Sequence, residues 1–146
     1  MPIADRTART TWEGSLAQGA GQISPDSKAF DPLAVTWAAR TEQPGGKTSP
    51  EELLAAAHSS CFAMALNLVL AEKKIPADST TVSATVTLDE VDGKPTITTS
   101  AITVRATVPG ADEAAFKSAV DDAAALCPVS RLFAGAEISV VASLAG

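Results

Sequence analysis

The sequence predicts an α+β domain in which antiparallel strands pack around a long, buried central helix, and three patterns carry that expectation. Apolar residues alternate with polar ones on both sides of the middle of the chain, the period of half-buried strands. Residues 53–71 form a run of nineteen residues without a formal charge, directly after a helix-start signature. Residues 112–126 repeat apolar side chains at three- and four-residue spacing, which predicts a second helix. The resulting order of strands, helix, strands, helix, strand fits antiparallel pairing with helices on the sheets. A length of 146 residues suits one domain, residues 1–146, able to bury roughly two thirds of its unfolded surface.

The elements follow in order. Trp12, Gly14 and Leu16 alternate with polar neighbours, and a glycine-rich turn at residues 18–21 leads to Ile23, which predicts a hairpin. Leu33, Val35, Trp37 and Ala39 then share one face of a strand over residues 33–40, with Arg40 at its end on the opposite face. A Pro-Gly-Gly loop follows at residues 41–47. Ser49 is the expected N-cap of the long helix, Pro50 its first residue and Glu52 the second half of a capping box. That helix should run to about Lys74, and Pro76 prevents continuation.

Val82, Ala84, Val86 and Leu88 alternate next, Asp92-Gly93 supplies a turn, and residues 97–108 resume strand character. The apolar parity changes between Ile97 and Ile102, which places a bulge or twist near Thr99. Phe116, Val120, Ala123 and Cys127 mark the second helix, which Pro128 interrupts. After a short segment at residues 129–134, Ile138, Val140, Ala142 and Leu144 form a last strand.

Composition removes several function classes. A net charge of −6, with five scattered arginines (Arg6, Arg9, Arg40, Arg105, Arg131), leaves no basic stripe for a phosphate backbone or an anionic membrane. The uncharged run has the length of a membrane span, but His58, Ser59, Ser60 and Asn67 interrupt it and amphipathic strands flank it. It reads as the buried helix of a soluble domain or dimer. The N-terminal residues lack the apolar run of a secretory signal, so a cytoplasmic location is expected. Two cysteines are too few for a disulfide scaffold, and a disulfide in that compartment is more often catalytic or sensory than structural.

The chemistry therefore turns on the thiols. Cys61 shares a helix face with Leu54, His58, Ala65 and Leu68, and Cys127 continues the apolar face of the second helix. Taken singly, each reads as a small core hydrophobe. Pro128 makes Cys127 the place where one helix ends and another can start, near helix-terminal amides that favour thiolate. A thiolate in an apolar pocket needs a cation, because burial alone raises a cysteine pKa, and arginine suits that role. Glu51 and Glu52 are the acidic candidates to hold such an arginine. Glu52 has its capping role, and Glu51 has none. Ten residues of helix separate the backbones of Glu51 and Cys61 by about 15 Å, so either a long arginine links them or the site lies at an interface between two chains, and an apolar helix in need of a partner face favours the interface. His58 stands one turn before Cys61, which leaves a Cys-His hydrolase as a competitor, although a lone helix histidine is more often simply packed. Two cysteines and one histidine without CxxC spacing make a poor zinc set.

The run KTSPEELLAAAHSSCFAMAL, followed 66 residues after its cysteine by CPVS, resembles the osmotically inducible protein C and organic hydroperoxide resistance (OsmC/Ohr) family. TTWEGSLAQGAGQIS and the DEVDG hairpin are similar to that family as well, and the CPVS ending is closer to its OsmC branch. The resemblance implies an OsmC-like α+β fold as an intertwined homodimer. It implies thiol-dependent reduction of organic hydroperoxides, with hydrogen peroxide as a second candidate, and reset by a dithiol reductant without a metal or bound cofactor. By its motif Cys61 is the peroxidatic cysteine, Cys127 the resolving one, Arg40 the activating cation and Glu51 its carboxylate partner. A binding or redox-sensing module on the same fold, oxidised without turnover, is the alternative.

Overall fold

The computed structural model describes residues 1–145, and the chain falls into two compact units, Met1–Leu53 and the residues from Leu54 onward.

In the first unit β1 (Ala8–Glu13), β2 (Ala20–Pro25) and β3 (Leu33–Val35) form an antiparallel meander in that order. Trp12 pairs with Gly21, and a Cβ on Gly21 would stand 2.7 Å from the Trp12 ring, so the glycine makes room for the indole. The hairpin is present, but its strand ends at Glu13, earlier than the alternation suggests. Gly14 turns the backbone at φ 89°, and Leu16 lies in the connecting loop, largely exposed.

The strand expected over residues 33–40 is corrected: it stops at Val35, and α1 (Trp37–Thr41) begins at once. The Thr36 hydroxyl accepts a hydrogen bond from the Ala39 amide at 3.1 Å, an N-cap that starts a helix. Two alanines and an arginine, all good helix formers, then override the alternation. Arg40 thus stands in the last turn of a helix and not at a strand end.

The long helix α2 (Pro50–Glu72) crosses from the first unit into the second. Ser49 caps it, accepting from the Glu52 amide at 3.1 Å. The reciprocal half of the capping box is replaced: the Glu52 carboxylate accepts from the Thr48 hydroxyl at 2.6 Å. The helix closes in a Schellman arrangement, with Lys74 left-handed at φ 60°, its amide on the Ala71 carbonyl and the Ile75 amide on the Leu70 carbonyl.

In the second unit β4 (Ser79–Val91) and β5 (Lys94–Thr107) make a long hairpin, turned by Asp92 and Gly93 at positive φ. A register shift leaves Thr98 as the extra residue, next to the expected position of the bulge. Helices α3 (Glu113–Leu126) and α4 (Pro128–Leu132) lead to β6 (Glu137–Leu144). The other strand pairs are antiparallel as expected, and β6 departs from them by pairing with β5 in parallel. The physical reason is the helical crossover: a chain that leaves the end of β5 and returns along two helices re-enters the sheet in the same direction.

Phe62, Leu66 and Leu70 of α2 meet Ile102 and Val104 of β5 and Phe116, Val120 and Cys127 in one apolar core. The helix is buried along this flank only. Met64 and Leu68, on the other side, are 73% and 50% exposed in the single chain. Among the described residues α2 alone is long and apolar enough to cross a membrane, yet its buried flank packs as a core helix does.

Candidate active site

Cys61 and Cys127 come together in the second unit, both as free thiols. Cys61 is half-buried on α2, and Cys127 is wholly buried between α3 and α4. Proline creates the Cys127 position. A residue before proline is driven out of the helical region, and Cys127 accordingly takes φ −59° and ψ 116° while its amide still bonds the Ala123 carbonyl at 2.9 Å. Pro128 then opens α4, so Cys127 sits at the joint of two helices.

Three influences act on the Cys61 thiol. Burial pushes its pKa up, the Val129 amide donating to its sulfur pulls it down, and the neighbouring Cys127 thiol pushes it up again. The net direction is upward. Within this unit, burial thus favours the thiol of Cys61 over its thiolate.

His58, one helical turn before Cys61, is completely buried and fully engaged. Its Nδ1 is 2.6 Å from the Ser100 hydroxyl on β5, its Nε2 is 2.8 Å from the Ser130 hydroxyl on α4, and its ring stacks on Phe133 at 5.2 Å. Burial without a charged partner lowers its pKa, so the ring is neutral. With both ring nitrogens occupied by serines, neither is free to deprotonate Cys61, which removes the Cys-His hydrolase reading. The two serines are the functional neighbours that sequence reasoning missed. Ser100 carried a signal, as a polar residue in phase with the core residues Ile102, Val104 and Ala106. Ser130 carried none beyond its place in CPVS.

In the first unit Arg40 and Glu51 form the ion pair expected of them. Arg40 Nη2 and Nε lie 2.7 and 3.0 Å from Glu51 Oε1, and Nε is 3.2 Å from Oε2. Glu51 is buried, and the guanidinium also lies 5.9 Å from the centre of the Trp37 ring. Two nitrogens of a rigid fork on one carboxylate fix both position and orientation of the cation. Glu51 thus finds its arginine within its own chain. An apolar hollow of about 220 Å³, lined by Trp12, Leu16, Val35 and Trp37, opens beside Arg40. Among the described residues no group of three or more His, Cys, Asp or Glu could hold a metal ion.

Comparison with known proteins identifies the family of the chain. Residues 43–142 match the model of the OsmC-like protein family. The chain is 39% identical to peroxiredoxin OsmC of Escherichia coli over 83% of this chain and 84% of that protein. It is 30% identical to an organic hydroperoxide resistance protein of Xanthomonas axonopodis over 86% of each. Its fold overlays the crystal structure of an organic hydroperoxide resistance protein from Elizabethkingia anophelis, with a TM-score of 0.74, 26% identity and coverage of 99% of this chain and 100% of the other. On the match across its motif, its fold and most of its length, this chain belongs to the OsmC-like family.

Proposed function

We propose that the chain is a thiol-dependent peroxidase that reduces organic hydroperoxides, with Cys61 as the peroxidatic and Cys127 as the resolving cysteine. The contact of two free thiols, one of them under the Val129 amide, is the observation that supports this reading most directly.

The Cys61 thiolate attacks the terminal oxygen of the hydroperoxide. The O–O bond breaks, an alkoxide leaves and takes a proton as the alcohol, and Cys61 becomes a sulfenic acid. Cys127 then displaces that oxygen as water and forms a disulfide with Cys61. A dithiol reductant returns both thiols and leaves as its own disulfide. Since the thiol of Cys61 is held up by burial, its ionisation needs more positive charge than one amide supplies. Arg40, oriented by Glu51, is the residue to which the family motif gives that task.

A cytoplasmic location suits the reductant, since thiols are kept reduced there. A homodimer that covers the exposed flank of α2 completes the proposal. Purified protein given cumene hydroperoxide and dithiothreitol should consume the peroxide. Consumption at an unchanged rate by Cys61→Ser would overturn the assignment, and oxidation without steady-state turnover would instead support a sensor.

A further inference from the structure

The buried Ser100–His58–Ser130 cluster has no part in the chemistry above, yet it joins the same two segments as the thiols. His58 lies three residues before Cys61 on α2, and Ser130 lies three residues after Cys127 on α4. The two contacts, His58 with Ser130 and Cys61 with Cys127, are therefore neighbouring rungs between α2 and the α4 turn. The far side of the imidazole is pinned to the sheet through Ser100, and Phe133 at the end of α4 stacks on the ring.

α4 needs such an anchor. It has only five residues, Pro128 offers no amide, and the Cys127 side chain makes no capping hydrogen bond. The turn fixes the Cys127 backbone through its own amide and carbonyl, bonded to Ala123 and Arg131, but not how α4 lies against α2. A disulfide, by contrast, forms only when the sulfurs close to about 2.05 Å with Cα atoms about 5.5 Å apart.

We propose that His58 is a positioning residue for the resolving step: through Ser130 it holds α4 in the register that presents the Cys127 sulfur to the Cys61 sulfenic acid. The inference rests on the peroxidase reading. In the step concerned the Cys127 sulfur bonds to Cys61, the Cys61 S–O bond breaks, and the oxygen leaves as water with the Cys127 proton. His58 touches none of these atoms. A neutral imidazole has one N–H and one lone pair, so one serine accepts from it and the other donates to it.

Two amide variants divide the roles of the ring nitrogens. In His58→Gln the amide reaches the position of Nε2 and keeps the link to Ser130, whereas in His58→Asn it reaches only the position of Nδ1 and keeps the link to Ser100. The 146-residue chain, reduced and mixed with one equivalent of cumene hydroperoxide, is quenched with an alkylating reagent, and intact mass follows sulfenic acid, disulfide and sulfinic acid with time. Thermal unfolding of each variant is measured alongside.

Disulfide closure in His58→Gln is expected within about threefold of the parent, and closure in His58→Asn and Ser130→Ala roughly tenfold slower, the rate equivalent of one lost hydrogen bond. Sulfinic acid at Cys61 should accumulate in the two slow variants. Closure at the parental rate in Ser130→Ala would overturn the proposal. So would equal slowing in the Gln and Asn variants in step with their loss of thermal stability, the signature of a purely structural role. Ser130→Ala removes one hydroxyl and carries the test if His58→Asn fails to fold. A parent protein that forms neither sulfenic acid nor disulfide would instead overturn the peroxidase reading, and the inference with it.

Discussion

Cys61 is held between opposing influences, and their balance decides when it reacts. Burial and the adjacent Cys127 thiol keep its proton on, while the Val129 amide favours the anion. With burial raising the folded-state pKa and Arg40 proposed to offset it, alkylation of Cys61 in Cys127→Ser should be slow at pH 7 once Arg40 is also replaced by alanine, and climb about tenfold per pH unit past the ordinary thiol range. A rate that is flat from pH 7 to 9 would show that the thiolate is already formed. The same shift acts on stability. Its contribution is complete below the unfolded-state pKa of about 8.5 and is lost as pH rises through the folded value. Arg40 and Glu51 act as a pair, because the carboxylate holds two nitrogens of one fork. Arg40→Lys keeps the charge but loses that fork, and Glu51→Gln loses the ion pair. Each should lower kcat/KM for cumene hydroperoxide by roughly ten- to a hundredfold, the scale of one charge-assisted contact. Retention of parental kcat/KM in both would remove Arg40 from the mechanism.

At the scale of elements, short signals at the helix ends place the site residues. The Thr36 cap turns a strand-like sequence into α1 and so puts Arg40 in a helical turn. Thr36→Ala should lower stability by about 1 kcal/mol in urea unfolding. Lys74 occupies a left-handed position that suits glycine, so Lys74→Gly should raise stability by up to about 1 kcal/mol, provided the end of α2 stays as it is. Pro128 breaks α3 from α4 and thereby makes the joint where Cys127 sits. These devices were legible to different degrees. Ser49, Pro50, Pro128 and the Asp92-Gly93 turn carry local chemistry that reads directly from the chain. The fate of residues 33–40 did not, because four apolar residues at a spacing of two fit a strand as well as a strand followed by a capped helix.

At the scale of the molecule, α2 has two apolar flanks and one chain covers only one of them. Met64 and Leu68 would lie within the proposed dimer contact, so sedimentation should give about twice the 14.8 kDa chain mass, and Leu68→Glu should shift the protein toward the monomer. A parental protein that sediments as a monomer at micromolar concentration would remove the dimer. The amino-acid sequence by itself determined the α+β class, the long helix and the neighbourhood of the bulge, because periodicity and caps are local properties of a chain, and its resemblance to a known family named Cys61, Cys127, Arg40 and Glu51 as candidates. Only the tertiary structure decided that β6 runs parallel to β5, that Glu51 takes Arg40 of its own chain, and that His58 is bound at both nitrogens. Those facts join residues as far apart as 42 and 72 positions, and no pattern of spacing records which distant hydroxyl a buried imidazole will meet.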